Sequence, residues 1–325
     1  MLRVHLIGAV LLACSSAAVA GGNPAGLRVQ EGGTGYLIAN YAPTDSAVEA
    51  ALSQAEKSDR RDSQTAVMLS ILADRYRAQY RFAAAEELYL RSLALLAETM
   101  GSGHPNVATA AHRLGQLYRQ QGANAKAEPY YRQAISIFEQ TLGPDHANVV
   151  ALLGEMASLY RAQNRYDDLE RVNLLRLAIA ERTLGAEHPA AIALLNELTS
   201  GYQARGRYPD AERLAKRALQ SAERARGAAD PSVAAMLNEL GGIYQLQGRL
   251  SEAEVQYKRS IAIIEKAFGP EHPALEVALN SLVVLYQTQG RRAEAEAANR
   301  RSIALANAPY RGQWAGPMIV QQRLR

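Results

Sequence analysis

A single cysteine, Cys14, stands among the first twenty of 325 residues. The rest of the chain can therefore form no internal disulfide and offers neither a thiol nucleophile nor a cysteine-ligated zinc site. No apolar stretch approaches the roughly 20 residues that a helix needs to cross a bilayer; the run from Leu6 to Ala13 falls well short. A soluble mature chain is expected. Charge of one sign is missing as well. Setting aside Arg3 and the three arginines of an acid-free tail, Arg311, Arg323 and Arg325, takes the formal charge from +4 to zero over residues 21 to 308. The basic isoelectric point thus gives no reason to expect a nucleic-acid partner. No G-x-S-x-G, phosphate loop, H-E-x-x-H or dinucleotide fingerprint stands in the strand or helix context that it would need. The expectation is a protein without enzymatic activity and without a cofactor or metal.

The N-terminus reads as an export leader over residues 1–20: Arg3, the apolar run, then the small-residue end Ala18-Val19-Ala20. Two processing routes fit it. Ordinary cleavage after Ala20 gives a periplasmic or secreted protein. Leu11-Leu12-Ala13-Cys14 resembles a bacterial lipobox, which would place a lipid on Cys14 and hold the protein at the outer membrane. That anchor is the one membrane contact expected.

What is abundant is repetition. Tyr76, Tyr118, Tyr160, Tyr202, Tyr244 and Tyr286 recur every 42 residues without a slip, and so do Glu86, Glu128, Glu170, Glu212, Glu254 and Glu296. Gly101, Gly143, Gly185, Gly227 and Gly269 keep the same period, followed three residues later by His104, His146, His188, Asp230 and His272. Pro105, Pro189, Pro231 and Pro273 fit the first turn of a helix, where a missing N–H costs nothing. Gly122, Gly206, Gly248 and Gly290 mark a turn inside each unit, and Asn164 in the same place points to a position that needs positive φ. Ala73, Gly115, Ala157, Thr199 and Gly241 are small enough to let a second helix approach the first; Val283 departs in the sixth unit. Unit 3 departs most, with Leu169, Asn173 and Arg176 at positions held elsewhere by other residue types.

Leu114-Gly115-Gln116-Leu117-Tyr118 with Ala127, and Leu240-Gly241-Gly242-Ile243-Tyr244 with Ala253, carry the L-G-x2-Y and alanine pattern of the tetratricopeptide repeat (TPR). Gly143-Pro144-Asp145-His146, Gly185-Ala186-Glu187-His188-Pro189, Asn238-Glu239-Leu240 and Gln247-Gly248 resemble its kinesin light chain type. The resemblance covers about residues 62 to 306. It implies an all-α, right-handed superhelix, an α-solenoid of six helix-turn-helix repeats, that binds peptides or proteins on a concave face.

The expected organisation is a signal peptide at 1–20, a flexible lead-in and N-terminal capping helix at 21–61, six repeats over 62–307 and a tail at 308–325. The repeats start near 62, 104, 146, 188, 230 and 272. A capping helix is expected from Asp45 to Lys57, because a terminal solenoid unit otherwise exposes its stacking face. The tail, with Tyr310, Trp314 and Ile319-Val320, reads as a segment folded on the last unit, or else as a docking segment.

If the first helix of each unit lines the concave face, residues spaced 3, 4 and 3 apart form one stripe along it. Its last position reads Arg77, Arg119 and Arg161, then Gln203, Gln245 and Gln287. A second row reads Ser70, His112 and Gly154, then Asn196, Asn238 and Asn280. Amides can both donate to and accept from a peptide backbone, whereas arginines favour carboxylates. The expected peptide-binding residues are thus Arg77, His112, Arg119, Arg161, Asn196, Gln203, Asn238, Gln245, Asn280 and Gln287. The periodic histidines lie too far apart, on the order of 10 Å, to share a metal, and read as helix caps. The periodic glutamates are expected to pair within each repeat. The function expected is a protein-binding adaptor of the bacterial envelope. Alternatives are a scaffold acting through the convex face, terminal repeats or tail, and, more weakly, a carbohydrate-binding module.

Overall fold

The computed structural model describes residues 62–307, together with Ala50, Ser53 and the backbone of 29–31 and 37–39. Twelve α-helices occupy 62–307, alternating between a shorter helix A and a longer helix B. They are α1 (Ser63–Ala78), α2 (Phe82–Met100), α3 (Pro105–Gln120), α4 (Asn124–Leu142), α5 (Ala147–Ala162) and α6 (Tyr166–Leu184). The series continues with α7 (Pro189–Ala204), α8 (Tyr208–Arg226), α9 (Pro231–Leu246), α10 (Leu250–Phe268), α11 (Leu275–Thr288) and α12 (Arg292–Asn307). Among the described residues the molecule is all-α, built of helix-turn-helix repeats, but for one ribbon in the expected lead-in. There β1 (Val29–Glu31) pairs antiparallel with β2 (Leu37–Ala39), Gln30 facing Ile38. Part of the segment expected to be flexible is thus paired backbone. The leader with Cys14, the tail and most of the expected capping helix lie outside the described residues; Ala50 and Ser53 are helical and exposed. Among the described residues no helix is long and apolar enough to cross a membrane.

The chain divides into two compact units, residues 1–144 and 145–325. The first holds α1 to α4, with Leu69, Leu72, Tyr89, Val107, Leu114, Leu117 and Tyr131 buried between them. The second holds α5 to α12 around one continuous apolar cluster that includes Leu195, Leu214, Leu237, Ile243, Tyr257, Leu275 and Leu285.

Two rows of left-handed backbone punctuate the helices, and they differ in what they tolerate. Gly101, Gly143, Gly185, Gly227 and Gly269 end the B helices with φ between 89° and 95° and extended ψ, a region essentially closed to side chains. The turn between A and B lies near φ 70° in Gly122, Gly206, Gly248 and Gly290, where L-residues can enter at a cost. Asn164 does so at φ 56° and Tyr80 at φ 60°. Glycine is therefore invariant in the first row and replaceable in the second.

The histidines start helices. His104, His146 and His188 cap α3, α5 and α7, each Nδ1 accepting from the backbone N–H two residues on at 3.1 to 3.2 Å. Asp230 does the same for α9 at 2.8 Å. A short acceptor is what this position requires, and imidazole and carboxylate both supply one.

Helix A and helix B interlock through size. A β-carbon on Gly241 would lie 2.6 Å from the Tyr257 ring, and one on Gly115 would lie 2.5 Å from Tyr131. The glycine leaves the space that the tyrosine fills. The fourth repeat reverses the exchange, with Thr199 on helix A and Ala215 on helix B, both buried. Gly241→Ala is accordingly expected to destabilise the fold by about 1 to 3 kcal/mol through overpacking, although an exposed helical glycine gains about 1 kcal/mol from the same change. In a Tyr257→Ala background that penalty should vanish, so a double-mutant cycle in urea checks the interlock.

Candidate functional site

The periodic tyrosine and glutamate belong to the scaffold, and they join consecutive repeats. In the first unit Tyr118 on α3 donates to Glu86 on α2 at 2.8 Å. In the second, Tyr202 on α7 donates to Glu170 on α6 at 2.6 Å, and Tyr286 on α11 donates to Glu254 on α10 at 3.1 Å. Within their own repeats Glu128, Glu212 and Glu254 pair, as expected, with Arg132, Lys216 and Lys258 one turn on, at 2.8, 2.6 and 2.7 Å; Glu86, Glu170 and Glu254 also meet the tyrosine of the repeat that follows. The reason is geometric: glutamate in the first turns of helix B faces the C-terminal end of the next helix A.

In the second unit an arginine completes the junction, at a position held by Ala123 in the first. Arg207, Arg249 and Arg291 lie over the rings of Tyr202, Tyr244 and Tyr286, 4.3 to 4.4 Å from the centroids. The same arginines ion-pair with Glu170, Glu212 and Glu254, at 3.0, 2.5 and 2.6 Å. These carboxylates are about one-sixth exposed. Hydrogen bonding from Arg291 outweighs burial and, with Lys258 and Tyr286, holds the Glu254 carboxyl down at about 2. Burial would push Glu170 up, but Tyr202, Arg205 and Arg207 overcome it and hold it low. Arg165, Arg207, Arg249 and Arg291 keep the same 42-residue period in the sequence, and Ala123 interrupts the row before them. A second ladder links B helices, Arg217 to Glu181 and Arg259 to Glu223 at 2.6 and 2.5 Å.

With these residues assigned to the scaffold, the exposed side of the A helices is where binding can occur. In the first unit Arg77 donates to Gln116 at 3.1 Å and approaches Asp74 at 3.6 Å, and Gln116 is also bonded to the His112 ring at 3.0 Å. Arg77 and His112 are therefore tied into a small polar network, while Arg119 is exposed. In the second unit Arg161 pairs with Glu197. Asn196 and Gln203 are half-buried. Gln245 accepts from the Tyr257 hydroxyl at 3.0 Å, and Asn280 accepts from Ser302 at 2.7 Å. Asn238, in the same row as Asn280, has a buried Oδ1 with no partner, because Ser260 donates to the Ala234 carbonyl instead. Gln287 is exposed.

Between these polar rows the surface is built of small residues. Ala151 and Ser158 on α5, Ala193 and Ser200 on α7, and Ala235 on α9 are exposed, with Gly242 half-buried. On α11 the two equivalent positions are Val277 and Val284, each more than half exposed. Within the second unit, the exposed side of the A helices is thus a low strip, flanked by Gly154 and Arg161 on α5 and by amides from α7 on, ending at two valines.

Sequence comparisons place these repeats in a family. One model described as tetratricopeptide repeat matches residues 64–140, 121–168 and 232–308, and another with that description matches 192–232. The chain belongs to the tetratricopeptide repeat family. Its TPR helices are similar to a solved kinesin light chain-type protein of Podosopora anserina with nearly identical TPR-like repeats. The identity is 28%, the TM-score 0.50, and the match covers 62% of this chain and 96% of that one. BtubC of P. vanneervenii shares the TPR fold at 22% identity and TM-score 0.50, over 78% of this chain and 98% of its own. The C-terminal part of a TPR repeat-containing protein of Cytophaga hutchinsonii does so at 12% identity and TM-score 0.51, over 82% of this chain and 91% of that part. No curated protein sequence matches the chain. TPR proteins mediate protein–protein interaction, and the fold typically serves as a non-enzymatic scaffold.

The junctions carry a pH dependence whose sign is fixed. The Glu254 carboxyl is lower in the folded protein than its ordinary 4.5, so its stabilisation is complete above that value and is lost as the pH falls toward about 2. Glu254→Gln should cost about 1 to 3 kcal/mol at neutral pH, the worth of hydrogen bonds to a charged group. Near pH 2 it should cost almost nothing, which urea titrations at the two pH values check.

Proposed function

We propose that this protein is a non-enzymatic adaptor of the bacterial envelope that holds an extended protein segment along its A helices. The observation that carries the reading is the strip on α5, α7 and α9: small exposed residues with Asn196, Gln203, Asn238 and Gln245 alongside. Small side chains let another chain come close to the helices, and amides in register supply donors and acceptors to its backbone without dictating its sequence. Isolated polar surface positions have no reason to alternate in this way over two successive repeats.

The envelope assignment rests on the leader read at residues 1–20, with release into the periplasm or secretion as the outcome of ordinary cleavage and outer-membrane anchoring as the outcome of lipidation at Cys14. The remaining proposed contact residues are Arg77, His112 and Arg119 in the first unit, and Arg161, Asn280 and Gln287 in the second.

A scaffold role through the terminal repeat is the second reading, and one observation favours it. On α12, Glu296 and Ile303 are 71% and 51% exposed, whereas Glu254 and Ile261, their counterparts one repeat earlier, are 15% and 9% exposed.

The test is to fill the strip. Ala193→Trp combined with Ala235→Trp adds bulk at two exposed positions and touches no core residue. Helicity and melting temperature should remain unchanged, while capture of the partner from envelope extract should fall at least about tenfold, the consequence of losing 1.4 kcal/mol or more. Undiminished capture would remove the strip from the account and favour the terminal-repeat scaffold.

A further inference from the structure

The second unit contains one ion-pair cluster complete and the same cluster again with its cations missing. Glu197 on α7 is shared by two guanidiniums, Arg161 from α5 and Arg176 from α6, the latter with Nη1 at 3.5 Å. Arg176 departs from the serine or alanine of the other repeats, and Gly154 stands across from it: a β-carbon on Gly154 would already touch Nη2, at 3.7 Å, which leaves the histidine or asparagine of that row little room. Repeat 3 gives up a side chain on helix A to seat an arginine from helix B against the carboxylate.

Forty-two residues on, Glu239 occupies the place of Glu197 on α9. Its counterparts for Arg161 and Arg176 are Gln203 and Ala218, neither of them a cation. Glu239 is half-buried and has no ion-pair or hydrogen-bond partner among the described residues. Burial pushes its carboxyl up, as expected where nothing offsets the loss of water. Nearby cations are engaged elsewhere: Arg205 and Arg207 with Glu170, Lys216 and Arg249 with Glu212, and Arg217 with Glu181. One residue earlier, Asn238 adds a second buried acceptor without a donor. A partly desolvated carboxylate without a counter-charge is costly, and one supplied from outside would be held firmly.

We propose that Glu239 is a cation subsite that receives the guanidinium or ammonium of an arginine or lysine side chain on the bound segment, beside Gln203 and Ala218. The filled cluster at Glu197 shows the geometry that the incoming group reproduces. This rests on the adaptor reading, because the segment must lie along the A helices to present the side chain there. The subsite fixes the position of the segment along the strip, which amides alone leave free to slide.

The test uses the full chain and two peptide libraries: random ten-residue peptides with a fixed central arginine, and the same peptides with neutral, nearly isosteric citrulline there. The unmodified protein should bind the arginine library at least about tenfold better, the scale of one close charge pair. Glu239→Gln should abolish that preference without weakening citrulline binding. Gln203→Arg, which copies Arg161 into the next repeat, should pair with Glu239 internally, raise the melting temperature and also abolish the preference. Equal binding of both libraries to the unmodified protein overturns the subsite and leaves the adaptor reading standing. Binding of neither library overturns both. A preference that survives in Glu239→Gln, or a melting temperature unmoved by Gln203→Arg, overturns the subsite.

Discussion

Stacking of one repeat on the next is the constraint on which the rest of this structure depends. A single pair of helices cannot enclose its own apolar face, so each repeat is completed by a neighbour. Burial supplies most of that cohesion, but burial alone does not set register, and the polar junctions do. Glu254 accepts from Tyr286 and Arg291 of the following repeat, and Arg291 in turn lies over the Tyr286 ring. Three groups that would each be weak on an open surface are held together where water is partly excluded, which is where charge-assisted hydrogen bonds contribute most. On α12 no following repeat is described, and there the equivalent glutamate and isoleucine stand open.

The same constraint separates scaffold from function. Tyrosine, glutamate and the following arginine are committed to stacking, and glycine and histidine to helix ends. What remains is the exposed side of the A helices, where residues can change without disturbing the stack. In the second unit that freedom has been used unevenly. Arg161 and Arg176 of repeat 3 pair with Glu197 of repeat 4, repeat 5 carries the lone carboxylate of Glu239, and small residues lie between the polar rows. A surface of this kind can grip an extended chain by its backbone and position it by one charge.

Much of the fold was legible in the sequence because a 42-residue period passes directly into a repeated helix pair. The histidine caps, the positive φ of Asn164 and the small residues facing helix B all follow from what a helix start, a left-handed turn and a close crossing require. The pairing of glutamate within its own helix was legible, as with Lys216 and Lys258, but its bond to the next repeat was not. Tyrosine and glutamate have the same period, so spacing cannot tell a partner ten residues away in the same repeat from one 32 residues away in the next. Nor did the stripe distinguish free amides from engaged ones: Gln245 and Asn280 are bonded to their own helix B, through Tyr257 and Ser302. The departure of Arg176 was visible in the sequence, but its meaning required seeing Gly154 beside it and Glu197 within reach. The short ribbon at 29–39 left no sign above the glycine and asparagine around it.

The most direct measurement of the central claim is site-specific photocrosslinking in the living cell, with a benzophenone amino acid placed in turn at Ala193, Ala235, Arg213 and Lys258. The first two lie on the exposed side of the A helices, and the last two are exposed positions on the B helices. The account predicts that one and the same protein partner crosslinks from Ala193 and Ala235 and not from Arg213 or Lys258. Crosslinking from Arg213 and Lys258 alone would contradict it and move the binding surface to the B helices.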